Sequence, residues 1–154
     1  MKLANALKLR SELNTEKNEI INDLKRNLII QEGLEQQKDP KKLYERALEK
    51  FDLLQKLIIS INKTNIHSKF EFENQIYTIA EFIILKSEIT DLINLTNNII
   101  RDGEEKKLNS NLEIRFKSWV DIKKYELKLQ KLKERKLAVE MKLEEINWQV
   151  DLIE

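Results

Sequence analysis

Leu3, Ala6, Leu13, Ile20 and Leu24 recur at steps of three and four, or their sums, between Lys2 and Gln31. That is the period of a helix with one buried face. Arg10 and Lys17 interrupt the stripe, Gly33 ends the segment, and Glu35 to Lys38 form a polar connector. A second helix opens at Asp39-Pro40. Asp can cap the free amides of a first turn, and Pro fits the first helical position, where its missing N–H costs nothing. Tyr44, Ala47, Phe51, Leu54, Ile58 and Ile61 follow as an apolar stripe, Asn65 lies one step further along it, and the helix is expected to end between Asn65 and Ser68.

The period then changes. Phe70 and Phe72 alternate with charged residues, Glu73-Asn74 supplies turn chemistry, and Ile76-Tyr77 follows; this predicts a small β-hairpin over 69–77. Thr78-Ile79-Ala80-Glu81 matches a capping box and opens a third helix to about Arg101. Phe82, Leu85, Ile89, Leu92 and Ile99 form its main stripe, with Ile79, Ile83, Ile93 and Ile100 beside it, so a wide face is expected to be buried. Asp102-Gly103 ends it. Leu112, Ile114 and Phe116 alternate and predict a further short strand over 112–117. Asp121 caps a fourth helix read to the end of the chain, where Ile122, Tyr125, Leu129, Leu132, Val139, Leu143, Ile146, Val150 and Ile153 keep a heptad broken only at Lys136.

The fold class is therefore mainly all-α: an elongated bundle of four long helices with a small β element, in one domain over 1–154. A fourth helix of about 34 residues would be about 50 Å long. A compact chain of this size has a diameter of about 38 Å. Stripe ends would stay uncovered, and a second copy of the chain is the expected cover. The first half of this helix, Lys123 to Lys136, is mostly basic and the second, Glu140 to Glu154, mostly acidic. That order opposes the helix dipole but suits antiparallel pairing of two copies.

Composition narrows the function classes. The 28 Lys and Arg balance 27 Asp and Glu, leaving a net charge of +1, which speaks against a dedicated nucleic-acid binder. Within Lys123–Lys136 only Tyr125 is interleaved as a stacking residue. There is no cysteine and one histidine, His67. Thiolate chemistry, classical zinc sites and the paired Glu-x-x-His set of di-metal bundles are excluded, so no metal and no cofactor is expected. Two glycines leave no phosphate-cradling loop, and there is no Gly-x-Ser-x-Gly elbow. No catalytic residue is assigned, and the chain reads as a non-enzyme. The N-terminus lacks an apolar export core, and the longest aliphatic or aromatic run is Phe82-Ile83-Ile84-Leu85, against roughly 20 apolar residues for a membrane span. A cytoplasmic location, without membrane insertion, is the expectation. Trp119 and Trp148 are read as core or interface anchors.

One polar cluster stands out as a candidate site: Arg10, Asn62, Asn65 and Glu81. If the first two helices turn back near residue 36, Arg10 and Asn62 lie equally far from the turn. Arg10 and Asn65 both fall on apolar stripes and would point inward. A buried guanidinium needs a carboxylate, and Glu81, at the start of the third helix, is the nearest by chain path. Such a cluster would either fix helix register or line a ligand pocket.

The ordered set Leu7 to Arg10, Asn27, Gln31-Glu32-Gly33, Asp39-Pro40, Ile61-Asn62-Lys63-Thr64-Asn65, Ile114-Arg115, Val120-Asp121 and Ile146-Asn147-Trp148 resembles the septicolysin-like family of small bacterial helical proteins of largely unknown function. Ala80-Glu81-Phe82-Ile83-Ile84 stands where that family carries Ala-x-x-Arg-Asp, so its arginine has no counterpart here. The resemblance implies a helical homo-oligomer, with a hexamer as the family's form, and brings a haemolysin label with it. Three readings follow: a self-associating structural or binding module, a haemolysin-like membrane-active protein, and an enzyme or ligand binder with a site at a subunit junction. The first suits the residues best, because a helical pore former needs a long apolar hairpin.

Overall fold

The computed structural model describes residues 1–35, 38–104 and 117–154. The elements run α1 (Leu3–Arg26), α2 (Pro40–His67), β1 (Lys69–Phe72), β2 (Gln75–Thr78), α3 (Ile79–Gly103) and α4 (Ile122–Gln149). Among the described residues the chain is mainly helical, with one antiparallel hairpin. It divides into two compact units, one of residues 1–79 with 145–154 and one of residues 80–144. The strand expected over 112–117 lies largely outside the described residues; among those described, the sheet has two strands.

In the first unit α1 and α2 pack as an antiparallel pair. Lys50 reaches Glu16 at 2.6 Å, and Lys17 sits 5.3 Å from the centre of the Phe51 ring. Ile20, Leu43 and Ala47 form a buried cluster with Leu24 packed on it. α1 stops earlier than its expected end at Gln31. The Asn27 amide donates to the Asp23 and Leu24 carbonyls, and its side chain donates to Asp23 O at 2.8 Å; these bonds close the last turn. Leu28, Ile29 and Ile30 then lie exposed in the connector. α2 starts as expected, with the Asp39 carboxylate accepting from the Lys41 amide at 2.9 Å.

The apolar residues of α2 divide into two rows. Leu43, Ala47, Leu54, Leu57, Ile61 and Thr64 are buried. Tyr44, Phe51 and Ile58, expected in the core stripe, are 56%, 49% and 37% exposed. Adjacent positions such as Leu43 and Tyr44 diverge by about 100° around a helix of 3.6 residues per turn. One face therefore cannot hold both.

The two chain ends close this unit. The Leu3 amide donates to Val150 O at 2.9 Å, and the Leu152 amide to Met1 O at 2.7 Å, so Lys2 and Asp151 face each other as an antiparallel bridge. The Lys2 ammonium adds bonds of 2.9 Å to Gln149 O and to the Asp151 carboxylate. Thr64, fully buried on α2, donates its hydroxyl to Ser60 O at 2.8 Å and accepts from the Ile153 amide at 2.9 Å. α4 therefore stops at Gln149, short of the expected run to the C-terminus. Its last backbone groups are committed to the N-terminal segment.

The hairpin follows directly from α2. Phe70 pairs with Tyr77 and Phe72 with Gln75. Glu73 and Asn74 take φ of 51° and 62°, the left-handed pair that a two-residue type I′ turn demands. Asn tolerates this region; Glu does so at some cost. β2 rests against α2, and the Ile79 amide donates to Ser68 O at 3.2 Å, joining the start of α3 to the end of α2.

In the second unit Lys86 of α3 meets Glu140 of α4 at 3.3 Å. Phe82, Ile89, Ile93 and Thr96 are buried on α3, and Val139 on α4. Ile83 and Leu92, expected to be covered, are exposed. α3 ends at Gly103, where a Cβ would stand 2.5 Å from Val120 Cγ2. Only glycine lets Val120 come so close.

Candidate functional site

The cluster expected of Arg10, Asn62, Asn65 and Glu81 is not a buried site. Arg10, Asn62 and Glu81 are exposed, and Asn65 is half-buried. The helix pivot explains this. Glu16 and Lys50 lie seventeen residues on either side of Gly33, so the pair turns about residue 33 and not 36. The cause is the early stop of α1 at Asn27, which recentres the connector. Moving a pivot by three residues shifts the facing position by six, about 9 Å along a helix. Arg10 consequently lines a shallow groove of about 380 Å³ with Ser11, Asn14, Leu54 and Ile58. Asn62 lies further along α2. Glu81 belongs to the first turn of α3 in the other unit.

Two features not anticipated from the sequence carry more structure. Thr64 joins α2 to the C-terminal segment; the signal for it was its place three residues after Ile61, one step closer to the core row than Asn65. A groove of about 440 Å³ lies between α3 and α4 in the second unit. Leu92, Leu95, Ile99 and Leu132 give it an apolar floor, and Lys128, Lys131 and Arg135 of α4 stand along one side. These three cations fall at steps of three and four, so they share a helix face. The Lys128 ammonium lies 5.0 Å from the centre of the Tyr125 ring. Thr96, at the base, donates its hydroxyl to Leu92 O at 2.7 Å.

Among the described residues three titrating groups shift within surface ion pairs. The hydrogen bond from Lys38 lowers the Asp23 carboxyl below its ordinary range. Lys2 does the same for Asp151, and Asp102 raises Arg101. Each shift favours the charged form, which suits a structural tie and not a proton donor working near neutrality. His67, the last residue of α2, is exposed, and its Nδ1 donates to Lys63 O at 2.8 Å. Among the described residues no group of three His, Asp or Glu side chains could hold a metal ion. No buried side-chain polar atom among them lacks a partner. No helix among them is long and apolar enough to cross a membrane. Trp119 and Trp148, read as core or interface anchors, are 100% and 57% exposed, so neither is a core residue of the chain.

The fold has a counterpart of known structure. The crystal structure of a functionally unknown conserved protein from Corynebacterium diphtheriae superposes with a TM-score of 0.88 at 21% sequence identity, covering 99% of each chain. That likeness shows a common fold. No curated protein matches the chain. Residues 10–152 match the model of a family of unknown function, DUF6847. The match takes in α2, α3, α4, the hairpin and all but the first seven residues of α1, and the chain belongs to this family.

Proposed function

We propose that this protein is a non-enzymatic, self-associating helical module whose copies meet along the exposed row of α2. The observation that supports this is the spacing of that row. Tyr44, Leu48, Phe51, Gln55, Ile58 and Asn62 follow one another at steps of four, three, four, three and four. The four apolar members are 37–56% exposed in the chain. Alternating steps of three and four make a coiled-coil seam, a surface shaped to receive another helix. The seam's polar members have a use as well, since one Asn within an apolar seam sets pairing register. Asn62, first considered for a pocket, fits that role between copies.

The heptad of α4 supports an interface less well. Val139 and Ile146 are buried within the chain, and Tyr125, Leu129, Leu132 and Leu143 are half-buried, so this stripe is already partly used. An apolar seam on α2 also makes association insensitive to salt, unlike pairing of charged helix halves.

Light scattering on the purified protein at micromolar concentration tests the reading. The wild type is expected to be an oligomer, and Leu48→Glu with Phe51→Glu to yield a monomer of unchanged helix content. A monomeric wild type, or an oligomer indifferent to both substitutions, overturns it.

A further inference from the structure

We infer that the groove between α3 and α4 is a binding site for a single-chain fatty carboxylate. The groove offers two chemistries at once. Leu92, Leu95, Ile99 and Leu132 form a floor that only an apolar group satisfies. Lys128 and Lys131 stand beside it, and among the described residues no acidic side chain lines it. Among the described residues Lys131 has no carboxylate partner, and the contact recorded for Lys128 is the Tyr125 ring. Lys86 and Lys136 of the same two helices, by contrast, both reach Glu140. Two cations without counter-charges beside an apolar trough complement an amphiphilic anion.

Size selects within that class. A volume of about 440 Å³ falls at the lower end of small-molecule sites. That is room for one acyl chain along the leucines. Arg135 borders the same side of the groove; two ammonium groups flank one small anion by charge alone, and a carboxylate is the headgroup assigned. The chain would lie along the leucines, with its carboxylate between the Lys128 and Lys131 ammonium groups.

Titration calorimetry with sodium decanoate, kept below its micelle concentration, tests this on the full chain. The expected result is one saturable site per chain, with decanol binding at least about tenfold more weakly. Lys128→Glu with Lys131→Glu should weaken decanoate by about tenfold or more, with helix content unchanged. Leu95→Glu should weaken decanoate and decanol alike. No saturable binding, equal affinity for decanoate and decanol, or indifference to the lysine reversal overturns the site. So does preferential binding to phosphatidylglycerol vesicles, which would make the lysines a membrane contact. The Leu48→Glu, Phe51→Glu protein separates this inference from self-association, because its groove is untouched and should still bind decanoate.

Discussion

α2 and α4 are the same length, 28 residues each, yet they spend their apolar residues differently. α2 buries six side chains and leaves a second apolar row in solvent. α4 carries the longer and more regular heptad, but buries only Val139 and Ile146, with the rest of its stripe half-covered. The difference shows what a periodic pattern encodes. Regular spacing states which face of a helix turns inward. How deeply that face is covered depends on the neighbours, and the stripe of α4 is flanked by long side chains such as Lys128 and Lys131 and interrupted by Lys136. On α2 the stripe read from the sequence, Tyr44 through Ile61, zigzags between two rows. One row serves the chain's own core; the other stays largely exposed.

Large-to-small substitutions should expose the contrast most strongly. Ile61→Ala, in the closed end of the first unit, is expected to cost about 2–5 kcal/mol. Leu132→Ala, half-buried on α4, should cost less than half as much, since less area leaves water there. Chemical denaturation of both variants checks this, and equal losses would mean that the two helices are buried alike.

A smaller effect is expected where α2 receives the C-terminal segment. Thr64→Val keeps the shape but leaves the Ile153 amide without its acceptor. The expected loss is about 1 kcal/mol, with faster hydrogen exchange at Ile153. Unchanged exchange would mean that the end is held by the Lys2–Asp151 bridge alone.

The smallest effect concerns that bridge and depends on pH. The hydrogen bond from Lys2, with the charges of Lys2 and of the N-terminal amine, lowers the Asp151 carboxyl below its ordinary value of 3.8. A depressed folded pKa means that the ionised form favours the folded state. Its contribution is present above the ordinary carboxylate pKa and is lost as pH falls through the lower, folded value. Asp151→Asn should therefore be slightly less stable than the wild type at neutral pH, and the gap should begin to narrow near about pH 4 and close below the depressed, folded pKa. Melting curves across that range measure it; a gap independent of pH would assign the tie to the backbone bonds.

Much of the secondary structure was legible because its determinants are local. Asp39-Pro40 starts α2, Gly103 ends α3, and Glu73-Asn74 turns the hairpin, each through its own backbone preference. Asn27 was equally local, and reading past it displaced the helix pivot by three residues. The supposed cluster of Arg10 and Asn62 came apart for that reason: a pairing argument multiplies an error at the turn into a misplacement of side chains far from it.

By itself the sequence determined the four helices, the hairpin, and the absence of any cysteine chemistry. These depend on period, on capping residues and on composition, which are properties of short stretches. Only the tertiary structure decided that α2 has an inner and an outer row, that Thr64 receives the C-terminal segment, and that three basic residues of α4 border an apolar groove on α3. Each of these is set by which residues, distant in the chain, arrive side by side. A helical period repeats every turn, so it can specify a face without specifying what that face will meet.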